Sequence, residues 1–330
     1  MGPEVSDNRT ISVTDYHPCY EIHDFSYILS KTPSVICVLL YSFLFLLSVV
    51  CVCGNLLVII SIIYFKQLHS PTNFLILSLA VADILVGIVV FPLNMAFSLS
   101  SCLTHEDVLC KLRSSIDILL STCSILNLYC ISIDRYYAVC QPLTYKAKIN
   151  HRITVLMILV CWGGSALFGI CVLLAGQDSD TCDEVCSFDT LIYNTVGAFL
   201  SFYLPVIMML CIYLKIFLVA QKQARRIMNT THKSAVTVCK TERKATKTLA
   251  IVLGVFLLCW TPLYLCITFP SLSNSAPVSV METLNWLTLS NSMLNPFIYA
   301  FFYSWFRSAI RMIVTGKIFR GDFTNTTLQK

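Results

Sequence analysis

Seven long apolar stretches divide the chain, over residues 33–65, 72–99, 107–140, 152–176, 190–219, 244–268 and 281–303. Each has the about 20 residues that a helix needs to cross a bilayer. Polar segments separate them. None shows the period-two alternation of a membrane β-barrel, and no unit of sequence recurs. The pattern predicts an all-α membrane protein: a seven-transmembrane helix bundle over residues 33–304, preceded by a polar tail at 1–32. After Trp305-Phe306, apolar residues return at helical spacing as far as Phe319, interleaved with Arg307, Arg311 and Lys317. That predicts a short amphipathic eighth helix in the membrane surface, within residues 305–330. No cysteine follows it, so palmitoyl anchoring is not expected.

Composition narrows the class. The 330 residues are 56% hydrophobic and 12% charged, against about 25% charged in a soluble domain, so the charges are too few to cover a water-facing surface. The charges are also sorted. With the N-terminus outside, four of the 23 basic residues lie on the outer side (Arg9, Lys31, Lys111, Arg113) and 19 at the inner helix ends. That is the positive-inside bias. Thirteen of the 18 acids lie outside, a field that concentrates cations at the outer mouth. The N-terminal tail is polar and the first apolar run is too long for a signal-peptide core, so the first helix is read as its own insertion signal. Asn8 heads an Asn-Arg-Thr glycosylation sequon on the outer tail. The sequons at Asn229 and Asn325 fall on the inner side and are read as chance.

Seventeen cysteines are present, most of them inside the spans, where a thiol is a small apolar residue. Cys19, Cys102, Cys110, Cys182 and Cys186 lie outside or at the outer rim, where disulfides form. Their number is odd, so at least one lacks a partner in this set. Zinc-ligand spacing is absent, and no metal site is read from the Cys or His residues. No nucleic-acid partner and no catalytic constellation is read from the sequence.

Single polar or helix-bending residues punctuate the spans in order: Asn55 after Gly54, Asp83 in LAVAD, Asp134-Arg135-Tyr136, Trp162, Pro205, Cys259-Trp260-Thr261-Pro262, and Asn295-Pro296 with Tyr299. Together these resemble the rhodopsin-like family of G-protein-coupled receptors, over nearly the whole chain. NSMLNPFIYAFFYSWF (291–306), ERKATKTLAIVLGVFLLCWTP (242–262) and SIDRYYAVCQPLTY (132–145) are similar to the trace-amine-associated subfamily.

The resemblance implies roles. Arg135, held by Asp134 and Glu242, becomes an inner lock next to Tyr136. Ile125, Pro205 and Phe256 become a packing switch above which Trp260 forms the pocket floor, and Tyr299 belongs to the same activation machinery. Asp83 with Ser124, Asn291, Ser292 and Asn295 matches a sodium site, the only cofactor implied; the same residues also suit a protonated carboxyl in a polar network. The resemblance implies a Cys110–Cys186 disulfide over the pocket and a Cys19–Cys182 bridge to the tail, for which Cys102 competes. It implies a small amine as ligand, a heterotrimeric G protein as partner, stimulatory with a rise in cyclic AMP, odour sensing as a setting and the plasma membrane as location. Leu143 and the basic run Arg243–Lys247 match where the family docks its G protein, although the positive-inside rule alone produces the same charges.

Asp117 is the residue that most needs explaining, because a carboxylate in hydrocarbon needs a partner. At 1.5 Å per residue it lies roughly 10 Å below Cys110 and 27 Å above Arg135, in the outer third of the bundle. The matching aspartate of amine receptors binds an ammonium. Arg113, one turn earlier, is a rival: it can pair with Asp117, bind a ligand carboxylate or snorkel to headgroups. Phe188, Tyr264, Trp260 and Trp286 are expected to complete the pocket, with Ser201 the one hydroxyl left where catecholamine receptors carry several, because Gly197 and Ala198 replace serines. Leu289 stands where many amine receptors have a tyrosine, and Leu103 where they have a first-loop tryptophan. The acids Asp178, Asp180, Asp183, Glu184 and Asp189 either steer cations or hold the far end of a diamine. A transporter would want repeats or broken helices, and a retinal photoreceptor a lysine in the seventh span; the sequence has neither. A peptide or lipid receptor of the same fold stays open.

Overall fold

The computed structural model describes residues 20–23, 26–29, 35–98, 108–175, 195–228, 233–269, 278–319, 324 and 328. Seven long helical spans run Val35–Tyr64, 71–98, Val108–Cys140, His151–Ala175, 195–228, Lys233–Thr268 and Val278–Phe302, followed by an eighth helix, Ser304–Val314. The first packs on the second, the second on the third and fourth, the fifth on the sixth, the sixth on the seventh and the seventh back on the first. The third span sits at the centre of this ring, against the second, fourth and fifth.

Among the described residues six helices are long and apolar enough to cross a membrane on composition alone; Val278–Phe302 is not among them. Its apolar residues are diluted by Asn285, Ser290, Asn291, Ser292 and Asn295, which turn inward: Asn291, Ser292 and Asn295 are buried. The bundle is inverted relative to a soluble protein. Leu39, Phe43, Leu156 and Phe217 are exposed, whereas Asn55, Asp83, Asn127 and Asp134 are fully buried. Lipid solvates the former, and the latter find partners inside.

Local chemistry sets the helix ends and bends. Ser70 caps the second span, its hydroxyl accepting from the Asn73 N–H, with Pro71 in the first turn. Two spans contain a π turn, Val86–Val90 and Phe199–Tyr203, closed by the Phe91 N–H on the Val86 carbonyl and the Leu204 N–H on the Phe199 carbonyl. Each lies just ahead of a proline, Pro92 or Pro205, whose ring crowds the carbonyl four residues back and lacks an N–H to bond it. The seventh span ends where the Arg307 guanidinium takes the Ala300 and Phe301 carbonyls at 3.0 and 2.9 Å. The eighth helix ends at Gly316, whose φ of +65° is one a glycine adopts without strain.

Several elements go beyond the hydropathy reading. The fifth and sixth spans extend well past their apolar parts, to Met228 and from Lys233, so the basic third inner segment is mostly helix. Its Lys, Arg, Gln and Ala are good helix formers, which hydropathy does not register. The second inner loop carries a short helix, Pro142–Lys148. In the N-terminal tail two strands, Tyr20–His23 and Ser26–Leu29, pair antiparallel with Tyr20 opposite Leu29. At the inner end Phe306 and Ala309 of the eighth helix are buried in or beside a cluster that includes Phe65, Leu68 and Leu328, and the Lys66 N–H bonds the Thr324 carbonyl at 3.0 Å.

Candidate functional site

A cavity of about 300 Å³ opens between the third, fourth, fifth, sixth and seventh spans. Asp117 and Arg113 line it, with Trp260, Tyr264 and Ser201. Five of the seven residues proposed from sequence to contact ligand therefore share one space. Asp117 accepts a hydrogen bond from the Ser121 hydroxyl at 3.3 Å, one turn further on. The Tyr264 ring is stacked on Phe202, centroids 4.1 Å apart and nearly parallel. Trp260 is buried beneath, its indole N–H without a hydrogen-bond partner among the described residues. Gly197 and Ala198 do line the wall, and the Ser201 hydroxyl bonds back to the Gly197 carbonyl at 2.7 Å.

Two aromatic expectations end differently. Trp286 is not part of the cavity lining; its ring meets Phe91, centroids 5.6 Å apart, in a cluster with Leu120 and Leu289. Trp286 is adjacent to the lining residue Asn285 and so stands about 100° around the helix from it, on the face toward Phe91. Phe188 lies outside the described residues. Arg113, for which the sequence left three roles, is turned to the second span: its Nε donates to the Asn94 side-chain oxygen at 3.1 Å and an Nη makes a second bond to the same atom. It remains the charge that acts on Asp117.

Deeper in the bundle, Asp83 is fully buried and its Oδ2 accepts from the Asn295 amide at 2.8 Å. Ser124 and Ser292 are turned toward it. Yet Asp83 Oδ1, Ser124 Oγ and the Asn291 amide nitrogen find no hydrogen-bond partner among the described residues. Unsatisfied oxygens around one carboxylate suit a small hard cation, so the donor set fits the sodium expectation. Asn55 ties the first span to this core, donating to the Ser292 carbonyl at 3.0 Å. Gly54 makes the approach possible: a Cβ there would stand 3.0 Å from Pro296.

At the inner end, Arg135 pairs with Asp134 at 3.0 Å. Asp134 is fully buried and also accepts from Thr72 at 2.7 Å and Tyr145 at 2.8 Å. Burial pushes the Tyr145 phenol up from its ordinary value, so it stays a donor. Arg135 also bonds the Thr72 hydroxyl. Tyr136 turns the other way, with the Lys215 ammonium 5.2 Å from its ring centroid. Arg135, Tyr213, Tyr299 and Tyr303 help to line an inner cavity of only about 20 Å³, room for about one water. Between the outer and inner sites, Ile125, Phe202, Phe256 and Trp260 belong to one buried cluster, with Phe256 and Trp260 6.0 Å apart and Pro205 also buried.

A family model described as 7 transmembrane receptor (rhodopsin family) matches residues 54–299. Trace amine-associated receptor 1 of Macaca mulatta is 41% identical, with 94% of this chain and 97% of that protein aligned. Trace amine-associated receptor 4 of Mus musculus is 42% identical over 90% of each. Trace amine-associated receptor 9 of Mus musculus is 39% identical over 94% of each. The chain belongs to the rhodopsin family of seven-transmembrane receptors, in its trace amine-associated group. It is a multi-pass membrane receptor and not an enzyme.

The receptor's cavity also contains residues that the sequence reading passed over. Phe168 and Val172 come from the fourth span, and Asn285 and Thr288 from the seventh. The pair Asn285/Thr288, three apart and continuing toward Asn291, Ser292 and Asn295, is a polar stripe on an otherwise apolar helix, a signal that was available. Thr72 was not legible as a member of the lock, since 62 residues separate it from Asp134. The side chains of Cys110 and Glu242, and all of Cys19, Cys102, Cys182, Cys186 and Asn8, lie outside the described residues, as do the acids of the second outer loop.

Proposed function

We propose that this receptor binds small cationic amines through Asp117 and activates a heterotrimeric G protein of the stimulatory type, raising cyclic AMP, in an olfactory setting. The N-terminus lies outside and the C-terminus inside the plasma membrane. The observation that carries the reading is Asp117 on the wall of an outer cavity floored by Trp260. An ammonium against this carboxylate forms a charge pair shielded from bulk water, and the faces of Trp260 and Tyr264 add cation–π attraction.

Ligand contact with Trp260 reaches Phe256 and Ile125 through direct packing. These residues occupy the level at which Pro205 and its π turn already bend the fifth span, so repacking them alters how the fifth and sixth spans meet. The closed inner cavity must widen to admit a partner helix, and that requires Arg135 to leave Asp134 and Thr72. Leu143, on the short inner helix and 98% exposed, supplies an apolar contact for that partner beside the basic third inner segment. Asp83, Ser124, Asn291, Ser292 and Asn295 would hold a sodium ion, which supplies a counter-charge for the buried carboxylate.

The test is a cyclic-AMP assay in transfected cells with a panel of mono-, di- and tertiary amines on wild type and Asp117→Asn at equal surface expression. At about 4 Å and an effective dielectric constant near 20, the pair contributes about 4 kcal/mol. Part returns through the amide's carbonyl, so a potency loss on the order of hundredfold is expected. Equal potency in the variant overturns the assignment of Asp117.

A further inference from the structure

Part of the cavity wall belongs to a segment that cannot hold its own position. Pro262 interrupts the sixth span, its ring removing the bond to the Leu258 carbonyl, and the helix ends at Thr268. So short a run of helix beyond the proline is not stable by itself, and a neighbouring element has to fix it. Tyr264 lies in this run and lines the cavity, near enough to Asp117 for the two side chains to interact. The fifth span supplies the fixing contacts from the last two residues of its π turn. Phe202 stacks on the Tyr264 ring, and the Tyr203 hydroxyl donates to the Tyr264 carbonyl at 3.1 Å. The same hydroxyl lies 3.1 Å from that of Thr268, which donates to the Tyr264 carbonyl at 2.7 Å. Tyr203 itself does not line the cavity.

The two contacts do different things. A stacked ring can slide across its neighbour's face at little cost, because offset arrangements are all favourable. A hydrogen bond to the backbone is directional and fixes where the residue sits. We propose that Tyr203 is a positioning residue for amine binding: its hydroxyl holds the Tyr264 backbone, so that the Tyr264 side chain is presented to an ammonium on Asp117, while Tyr203 never touches the ligand. This rests on the assignment of Asp117 as the ammonium site and extends the binding machinery to a residue behind the cavity wall.

The test uses the purified full-length receptor and 2-phenylethylamine, with affinity measured by calorimetry. Tyr203→Phe keeps the ring and removes the hydroxyl. It is expected to weaken binding about three- to tenfold, as for the loss of one hydrogen bond. In a Tyr264→Leu background the same change is expected to cost less than about twofold, because the side chain it positions is gone. An equal loss in both backgrounds overturns the proposal, since a general structural role lowers the binding-competent fraction of either receptor alike. Unchanged affinity in Tyr203→Phe overturns it, as does failure of wild type to bind 2-phenylethylamine. A second readout needs no ligand. Amide hydrogen exchange over residues 263–268 should quicken in Tyr203→Phe and stay as in wild type over 251–258; unaltered exchange over 263–268 also overturns the proposal. Should Asp117→Asn weaken binding while Tyr203→Phe makes no difference, this inference alone fails. Should Asp117→Asn leave binding unchanged, the assignment of Asp117 fails and carries this one with it.

Discussion

Replacing Thr72 with valine removes one hydroxyl at nearly constant shape and tests the inner lock. In the closed receptor that hydroxyl donates to Asp134 Oδ2 at 2.7 Å and also bonds Arg135, so one side chain from the second span holds both halves of the ion pair. Asp134 keeps Tyr145 and Arg135 after the change, at 2.8 and 3.0 Å. A hydrogen bond to a charged group contributes about 1.5–3 kcal/mol. Taking the lower figure, because the remaining partners can adjust, the closed state loses about 1.5 kcal/mol, close to a tenfold shift of a two-state equilibrium. A ligand-free receptor open about 1% of the time becomes open about 10% of the time. The assay is basal nucleotide exchange on the G protein in membranes without ligand, at matched receptor density. Thr72→Ser retains the hydroxyl and should match wild type. Unchanged basal exchange in Thr72→Val, with the agonist response intact, refutes the argument that this hydroxyl restrains Arg135.

Three further outcomes are expected. Gly54→Val places a branched side chain where even a Cβ stands 3.0 Å from Pro296. The seam between the first and seventh spans should open at a cost of about 1–3 kcal/mol, read as a lower melting temperature of the purified receptor. Leu143→Ala should reduce G-protein activation severalfold with ligand affinity unchanged, because this side chain is exposed and remote from the outer cavity; an equal loss in both would place its role in folding. Asp83→Asn should abolish any dependence of agonist affinity on sodium relative to choline, since it removes the charge around which the unsatisfied oxygens gather; persistence of a sodium effect would place the ion elsewhere.

Legibility in the sequence followed the range of the interactions. All seven spans are legible as apolar stretches, and six of the described helices are also apolar enough to cross a bilayer on composition alone. The helix Val278–Phe302 falls below that measure because it buries polar side chains: Ser292 and Asn295 face Asp83, and Asn291 is buried near them. Hydropathy over residues 281–303 still marks it as an apolar stretch, and its Asn-Pro motif adds to the family resemblance. The residues that share the outer cavity could be named because each stands alone as a polar or aromatic interruption. What joins them could not. Arg113 had an obvious partner one turn away in Asp117, yet its hydrogen bonds go to Asn94, 19 residues earlier and on another span. Trp286 and Asn285 are neighbours in sequence on faces about 100° apart, and the sequence does not say which of these faces meets the cavity. The π turns were hidden as well, although Pro92 and Pro205 mark their ends, because a proline in a membrane helix is compatible with a simple kink.

The π turn at Phe199–Tyr203 also has a consequence for how variation in this receptor can be interpreted. A π turn is one surplus residue in an α-helix, and that surplus rotates everything on its outer side by about 100°. Gly197 and Ala198 face the cavity through that rotation, not through their type. Deleting the codon for Phe199 or Leu200 would leave every named ligand contact encoded, yet would turn Gly197 and Ala198 off the wall and bring their neighbours onto it. Ligand choice here is thus set partly by a count of residues, and it can change by an insertion or deletion that alters no pocket side chain.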